Sequence, residues 1–470
     1  MTYRLLIDGA LVDGAMQMDV INPATAAPFA RCARADETQL NAAVAAAKSA
    51  FPAWAARPWS DRAALLGKVA DAMELRFDEF TTLLTSEQGK PLAEAQFEMG
   101  GAIAALRVLP ATELIDETLF ESETDLIIEQ RTPLGVVAAI TPWNFPMILL
   151  IVKAASALAA GNTVVAKPAP TTPLTTLLLG EVAAPILPPG VLNIITDDND
   201  LGAMLTNHPD VAKVSFTGST ATGRKVMQSA AGTLKRLTLE LGGNDAAIIL
   251  DDADIRAVAP RIFGAATINA GQVCMAAKRI YAPRALYDSL CEELARIAGE
   301  TIVDDGHNQG AQIGPIQNKA QYDKVLELIE DAREHGTIIA GGQPLDRAGY
   351  FIAPTVVRDL PDDARLVTEE QFGPVIPVLV YDTVDEVIAR ANDSEYGLAG
   401  SIWTSDVERG IAIARRIDTG TVWLNKHLDL RFDVPFGGAK QSGLGREQGV
   451  AGLKEFTQAK VINVSLAEMA

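Results

Sequence analysis

Gly135-Val136-Val137-Ala138-Ala139-Ile140-Thr141-Pro142-Trp143-Asn144-Phe145-Pro146 is the stretch that decides the fold. Val136 to Ile140 is a short apolar run of the kind buried on both faces of a sheet. The Pro-bounded loop after it gives way to a helical stretch from about Met147 to Ala160. The alternation then repeats. Asn162 to Lys167 reads as a strand, followed by Pro168-Ala169-Pro170-Thr171-Thr172-Pro173 and a Leu-rich helix. Val191 to Ile195 is the next strand. Val211 to Phe216 follows it and enters Thr217-Gly218-Ser219-Thr220 and a helix from Ala221. Strands alternating with helices predict a parallel α/β sheet that binds ligands at the carboxyl ends of its strands. Asn144, Lys167, Gly218 and Ser219 fall at such ends.

Working outward, a second α/β run follows Gly243. It has strands at Ala246 to Leu250 and Lys278 to Tyr281, with helices at Asp254 to Asn269 and Ala285 to Ala298. Pro374 to Tyr381, Ala399 to Thr404 and Thr421 to Leu424 are further strand-like runs. Before Gly135, residues 1 to about 35 read as short strands and turns. Asp36 to Leu84 is helical, with Ser60-Asp61 as an expected N-cap, and Leu92 to Leu109 is an Ala-rich helix. Asp125 to Pro133 reads as an exposed strand able to pair with a late strand or with another subunit. The tail from Lys460 to Leu466 alternates like an edge strand.

Composition narrows the function classes. The chain has 470 residues, 48% of them hydrophobic, which is enough for two or three domains with substantial cores. A net charge of −20 argues against nucleic acid or an anionic membrane as partner. Cys32, Cys274 and Cys291 are too few for a disulfide framework and suit a reducing, cytoplasmic setting. Asp8 cuts short the apolar run of the N-terminus, so no signal peptide is expected. The run Met147 to Val152 is too short to span a bilayer. His208, His307, His335 and His427 lack metal-ligand spacing, and no metal is expected.

The candidate chemistry centres on Asn269-Ala270-Gly271-Gln272-Val273-Cys274 and on Glu240-Leu241-Gly242-Gly243. Cys274 reads as a nucleophile and Glu240 as the base that serves it, since a glycine-flanked carboxylate in a pocket has a raised pKa. A lone cysteine is also commonly a small buried hydrophobe, and at this point both readings stand. Asn144, between two aromatics, is either a turn residue or a donor to an oxyanion. Gly218 and Ser219 open a helix whose free N–H groups suit a pyrophosphate. Gly218 to Lys225 misses a triphosphate-binding loop, because Arg224 stands where Lys belongs and Lys225 where Ser or Thr belongs. Lys167 is a solvated strand-end lysine or a donor to sugar hydroxyls. Glu370, with Phe372, is a surface acidic turn or a ribose-binding carboxylate beside a flat cofactor.

Seven stretches now stand in order: Pro142-Trp143-Asn144-Phe145-Pro146, Lys167-Pro168, Phe216-Thr217-Gly218-Ser219, Glu240-Leu241-Gly242-Gly243, Gly271-Gln272-Val273-Cys274, Glu370-Gln371-Phe372-Gly373-Pro374 and Pro435-Phe436-Gly437-Gly438. Together they resemble the NAD(P)-dependent aldehyde dehydrogenase superfamily over essentially the whole chain. The resemblance implies two Rossmann-like α/β domains and a small β oligomerisation arm. Residues 1–114 and 135–241 would bind cofactor, 242–440 would be catalytic, and 115–134 with 441–470 would form the arm of a homodimer or homotetramer. It implies Cys274 attack on a small-molecule aldehyde, an oxyanion held by Asn144 and the Cys274 N–H, and hydride transfer to the nicotinamide. Glu240 would activate the water that hydrolyses the thioester, with Lys153 in support. Trp143, Lys167, Pro170, Gly218, Ser219, Leu241, Glu370 and Phe372 would face the cofactor. Pro170 stands where NAD-preferring members often carry Glu, so NAD is expected while NADP stays open. A CoA-acylating enzyme is disfavoured by Glu240, and a non-catalytic member by the presence of Cys274, Glu240 and Asn144 together. Arg431 and His427 precede the Pro435 turn near the expected substrate entrance. They either meet a polar group of the substrate or are solvated and paired with Asp429 and Asp433.

Overall fold

The structure is a computed structural model and describes residues 3–467. An eight-stranded sheet runs in the order Ala10–Val12, Leu5–Ile7, Leu192–Ile194, Thr163–Lys167, Val136–Ile140, Val211–Thr217, Arg236–Glu240, Gly443–Leu444. The five strands from Leu192–Ile194 to Arg236–Glu240 are parallel, and both flanks are antiparallel. Val136–Ile140 lies at the centre, fully buried, with the second strand of the series on one side and the fourth on the other. The winding therefore reverses beside it. In such sheets the crevice at that reversal, at the carboxyl ends, is where ligands bind. Thr141 to Asn144 leaves one strand into this crevice, and Thr217 to Ser219 leaves the other.

The second sheet has seven strands in the order Thr337–Ala340, Thr355–Arg358, Val375–Tyr381, Ala277–Pro283, Asp245–Ile249, Ala399–Trp403, Thr421–Leu424. All pairs but the first are parallel. Two separate apolar clusters include side chains of alternating residues in its strands. Ile248 and Ile402 belong to one, Ala247 and Ile280 to the other. That is the sequence consequence of burying a sheet on both faces. A single large cluster serves the first sheet and the helices over it, from Leu40 and Trp54 to Phe456.

Asp125–Pro133 pairs antiparallel with Thr457–Ser465 over their full length, and on its other side with Glu117–Glu121. The early strand thus meets a late one in its own chain. Residues 441–456 lie against the first sheet: Gly443–Leu444 completes its edge, and Gly449–Lys454 packs on the helix Pro146–Ala159.

Several local expectations change. Ser60 and Asp61 do not cap a helix but lie in its first turn; Trp59–Glu74 starts from Pro58, at φ −54°, two residues before Ser60. Proline's fixed φ suits a helix start, and its missing N–H costs nothing there. Arg236–Glu240 is a strand that the sequence reading does not include. Its charged start and half-buried Leu237 hide the buried end at Thr238 to Glu240. The helix Lys319–His335 is likewise new. Its apolar stripe Val325, Leu328, Ile329, Ala332 is masked by charged residues on the other face.

Candidate active site

Cys274 ends a strained turn. Asn269, Ala270 and Gly271 all have left-handed backbones, at φ 53°, 54° and 71°. For Asn and Ala this is costly, and such strain persists only when the surroundings over-determine it. Here they do. The Asn269 N–H donates to Glu94 Oε2 at 2.9 Å, and Asn269 Nδ2 donates to the Asn144 carbonyl at 3.0 Å. Gln272 Nε2 closes the turn onto the Asn269 carbonyl at 2.8 Å, while its Oε1 accepts from the Gln317 N–H. Glycine is required at 271, where a Cβ would lie 2.2 Å from the Gly373 carbonyl oxygen.

Beyond the turn, the Cys274 carbonyl accepts from the Lys278 ammonium and the Met275 carbonyl from His427 Nε2. The Cys274 backbone N–H has no partner among the described residues. Cys274 itself is half-buried, unlike Cys32 and Cys291, which are inside the cores. Burial pushes its thiol up to about 12, against the lowering effect of Lys278. The thiol is thus protonated at neutral pH and needs a neighbour to take its proton.

Asn144 reaches the same place from the first sheet. Its Nδ2 donates one hydrogen to the Gln272 carbonyl at 2.8 Å, leaving the other N–H unassigned. Its loop is held from behind: Lys90 donates to the Asn144 carbonyl at 2.9 Å and sits 3.7 Å from the Phe145 ring centroid. Lys90 is paired with Glu98 at 2.6 Å, and Glu98 accepts from the first N–H groups of the helix Pro146–Ala159. Lys90 and Glu98 are wholly buried. Nothing in their spacing connects them to Asn144, so the sequence gives no sign of this support.

Glu240 stands at the carboxyl end of its strand, 4% exposed, with Oε1 unpartnered. Burial, then the Glu447 charge, raises its pKa well above the usual carboxylate range; Lys153 and Arg446 work against this. Lys153 is completely buried and bonded to Glu447 Oε1. Lys153, expected near the site, is there. Glu447 lies far along the chain, and in the sequence the glycine-rich stretch from Gly437 to Gly445 is what signals a close approach there. A Cβ at Gly437 would come within 3.0 Å of Glu240 Oε1.

The cleft between the sheets is about 210 Å³ and is lined by Trp143, Asn144, Gly218, Ser219, Leu241, Cys274, Glu370 and Phe372, with Thr217, Gln321 and Lys324 among the additions the sequence reading lacked. Glu240 lies beside the cleft, outside its lining. Ser219 caps the helix Thr220–Ala230 by accepting from the Thr222 N–H, so that helix's amino end borders the cleft. Trp143 and Phe372 meet edge-on at 5.4 Å. Glu370 Oε1 accepts from the Gly243 N–H at 3.0 Å and from Lys278 at 3.1 Å. Gly242 leaves room a side chain would fill, with Glu370 Oε2 2.6 Å from a Cβ placed there. A helix amino end, an anchored carboxylate and two ring faces fit a dinucleotide.

Lys167 and Pro170 do not line the cleft. Lys167 is paired at 2.6 Å with Asp197, whose other oxygen accepts from the Leu201 N–H. Asp197 was not anticipated. His427 has both ring nitrogens engaged, with Ser401 Oγ and the Met275 carbonyl, and burial lowers it to about 4. It is neutral and holds the loop after Cys274, so it is no cation for a substrate. Arg431 is exposed and paired with Asp433 at 2.7 Å.

The sequence profile described as the Aldehyde dehydrogenase family matches residues 11–462. The chain belongs to the aldehyde dehydrogenase family. Among its relatives, betaine aldehyde dehydrogenase of Rhizobium etli (strain CIAT 652) is 38% identical over 478 residues, covering 98% of this chain and 96% of that one. An aldehyde dehydrogenase of a Fusarium species is 39% identical, covering 94% of each. Among solved structures, the NAD+ complex of aldehyde dehydrogenase from Bacillus cereus superposes with a TM-score of 0.96 at 37% identity, covering 98% of this chain and 96% of that one. An NADP-dependent enzyme of E. coli gives 0.96 at 36%, covering 99% and 98%. Among the described residues, no helix is long and apolar enough to cross a membrane, and no cluster of His, Cys, Asp or Glu could hold a metal.

Proposed function

We propose that this aldehyde dehydrogenase oxidises a small aldehyde to its carboxylic acid with NAD, by covalent catalysis at Cys274. The observation that carries the reading is the meeting of Cys274 and Asn144 in one cleft with Glu370, Gly218 and Ser219, and with Glu240 beside it. Cys274 Sγ loses its proton to a neighbouring base and bonds to the carbonyl carbon. The negative charge left on oxygen is met by the free Cys274 N–H and by the second N–H of Asn144 Nδ2. Glu370, Phe372 and Trp143 would seat the nicotinamide end of NAD and the turn at Gly218 and Ser219 its pyrophosphate, and the cofactor when bound would supply the hydride acceptor. Cys274 then carries a thioester. Glu240 takes a proton from water as its oxygen attacks the acyl carbon; the C–S bond breaks and the acid leaves. A carboxyl raised by burial is suited to that task near neutral pH. Lys153 and Glu447 set its charge balance from behind.

NAD is preferred over NADP. Pro170 supplies no carboxylate, but Asp197 neutralises the Lys167 ammonium that would otherwise attract a 2′-phosphate. A tenfold or larger NADP preference in kcat/KM would overturn this.

Residues 1–114 and 135–241 serve the cofactor, and 242–440 the chemistry. Residues 115–134 with the strand from Thr457 form an oligomerisation arm. Its exposed Leu119, Phe120 and Val461 favour a homodimer or homotetramer. The three free cysteines favour a reducing, cytoplasmic setting. The test is NADH absorbance with a panel of aldehydes, with and without CoA, using Cys274→Ala as control. Turnover without CoA that vanishes in the variant is expected. Activity surviving in Cys274→Ala, or strictly dependent on CoA, would sink the reading.

A further inference from the structure

Lys278 is the second residue of the strand Ala277–Pro283 and has 1% of its surface exposed. Lysine is rarely buried this far, and when it is, its ammonium must find acceptors. It finds two that belong to different parts of the site: the carbonyl oxygen of Cys274 and Oε1 of Glu370, at 3.1 Å from the latter. It also stands 5.8 Å from the centroid of the Phe372 ring. One buried cation therefore joins the main chain of the nucleophile to the carboxylate and aromatic ring of the proposed cofactor seat.

We infer that Lys278 is a positioning residue for the oxidation. It locks the Cys274 peptide and the Glu370 carboxylate in one fixed relation and supplies the positive charge beside the sulfur as it becomes a thiolate. This rests on the reading of Cys274 as the nucleophile.

The surroundings favour a specific role over filling space. The next carbonyl, that of Met275, is held by neutral His427, so consecutive peptide oxygens are each fixed by a separate buried side chain. The approach is tight: a Cβ at Gly243 would stand 2.4 Å from the Cys274 carbonyl oxygen and 3.1 Å from Asp245 Oδ1. The charged groups acting on the thiol are Lys278 from its own strand, Glu240 from the end of Arg236–Glu240, Asp245 from the start of the neighbouring strand, and Glu370 from the loop opposite. Three of the four are carboxyls, and Lys278 is the cation among them. Lys324, also at the cleft, is turned to the Glu370 carbonyl.

The test is the rate of iodoacetamide alkylation at Cys274 at pH 8 in the full-length protein without cofactor, read by mass spectrometry of the Cys274 peptide. Well below the thiol's midpoint that rate scales with the thiolate fraction. Lys278→Met should slow it about tenfold or more, since losing a neighbouring cation disfavours the thiolate by that order. Lys278→Arg, which keeps the charge, should stay near the wild-type rate. Both variants should bind NAD more weakly in calorimetry, because Glu370 loses its anchor or has it displaced. An unchanged rate in folded Lys278→Met overturns the inference. An equal slowing in Lys278→Arg also overturns it, by reducing the residue to packing. Should Lys278→Met fail to fold, Lys278→Gln, equally uncharged, carries the same criterion. Failure of the underlying reading looks different: the wild type would oxidise no aldehyde, whatever the alkylation rates do.

Discussion

Two buried lysines flank the cleft, Lys153 on the helix Pro146–Ala159 and Lys278 on a strand of the second sheet, and each acts on two carboxyl groups. On the first side Lys153 is bonded to Glu447, and Glu240 is left with an unpartnered oxygen. On the second, Lys278 is bonded to Glu370, and Asp245 is left with an unpartnered Oδ2. In both places one cation cannot satisfy two anions, so the carboxyl without a direct partner is pushed toward its neutral form by burial. The outcome differs. Glu240 stands beside the reacting centre, where a carboxyl that exchanges protons is useful. Asp245 Oδ1 accepts from the Ala399 N–H, and the residue sits inside the sheet, where it is inert. The same electrostatic arrangement serves the proposed base on one side and a rigid mount on the other. Position at the carboxyl end of a strand or at its amino end makes the difference.

Breaking the first cluster should have the largest effect. Glu447→Leu leaves Lys153 as an unpaired buried charge and should cost about 3–5 kcal/mol in urea unfolding. The milder Glu447→Gln removes the negative charge that raises Glu240, so the ascending limb of the kcat–pH profile should move to lower pH. An unmoved limb would separate Glu240 from that limb. Next in size, Asn144→Ala should lower kcat about a hundred- to a thousandfold with little change in thermal stability, as for loss of one oxyanion donor.

Asp245→Asn sharpens the contrast. Burial raises Asp245 to about 8, with Lys278 the main opposing influence. Because its folded pKa lies above the unfolded one, its protonated form favours folding. That contribution is complete below the unfolded value and is lost as pH rises through about 8. Asn copies the neutral form. The variant should differ least from the wild type near pH 4, gain on it progressively as pH rises, and have a Tm higher by about 2–5 °C at pH 9; a lower Tm at both pH values would show that the carboxylate is ionised in the fold. Smallest of all, Arg431→Ala should leave the Tm and the KM for acidic and for neutral aldehydes unchanged, since Arg431 is exposed and paired with Asp433.

What the sequence discloses follows the same division. The buried strands at Val136 to Ile140 and Thr163 to Lys167 are legible because burial on both faces demands runs of apolar residues. Cys274, Glu240 and Asn144 are legible because each stands in a distinctive local setting of glycines or aromatics. Their supports are not. Lys153 meets Glu447 across 294 positions and Lys278 meets Glu370 across 92, and a charged residue that will be buried looks in sequence like one that will be solvated. Arg236 to Glu240 fails as a strand for the same reason: it begins in solvent and ends in the site.

The division of labour between Cys274 and Glu240 is tested most directly by mixing Glu240→Gln with NAD and an accepted aldehyde and following NADH in the first turnover. The account predicts a burst of about one NADH per active site followed by near arrest, because the thioester forms at Cys274 and is not hydrolysed. Steady turnover at the wild-type rate, or no burst from a variant that still binds NAD, would contradict it.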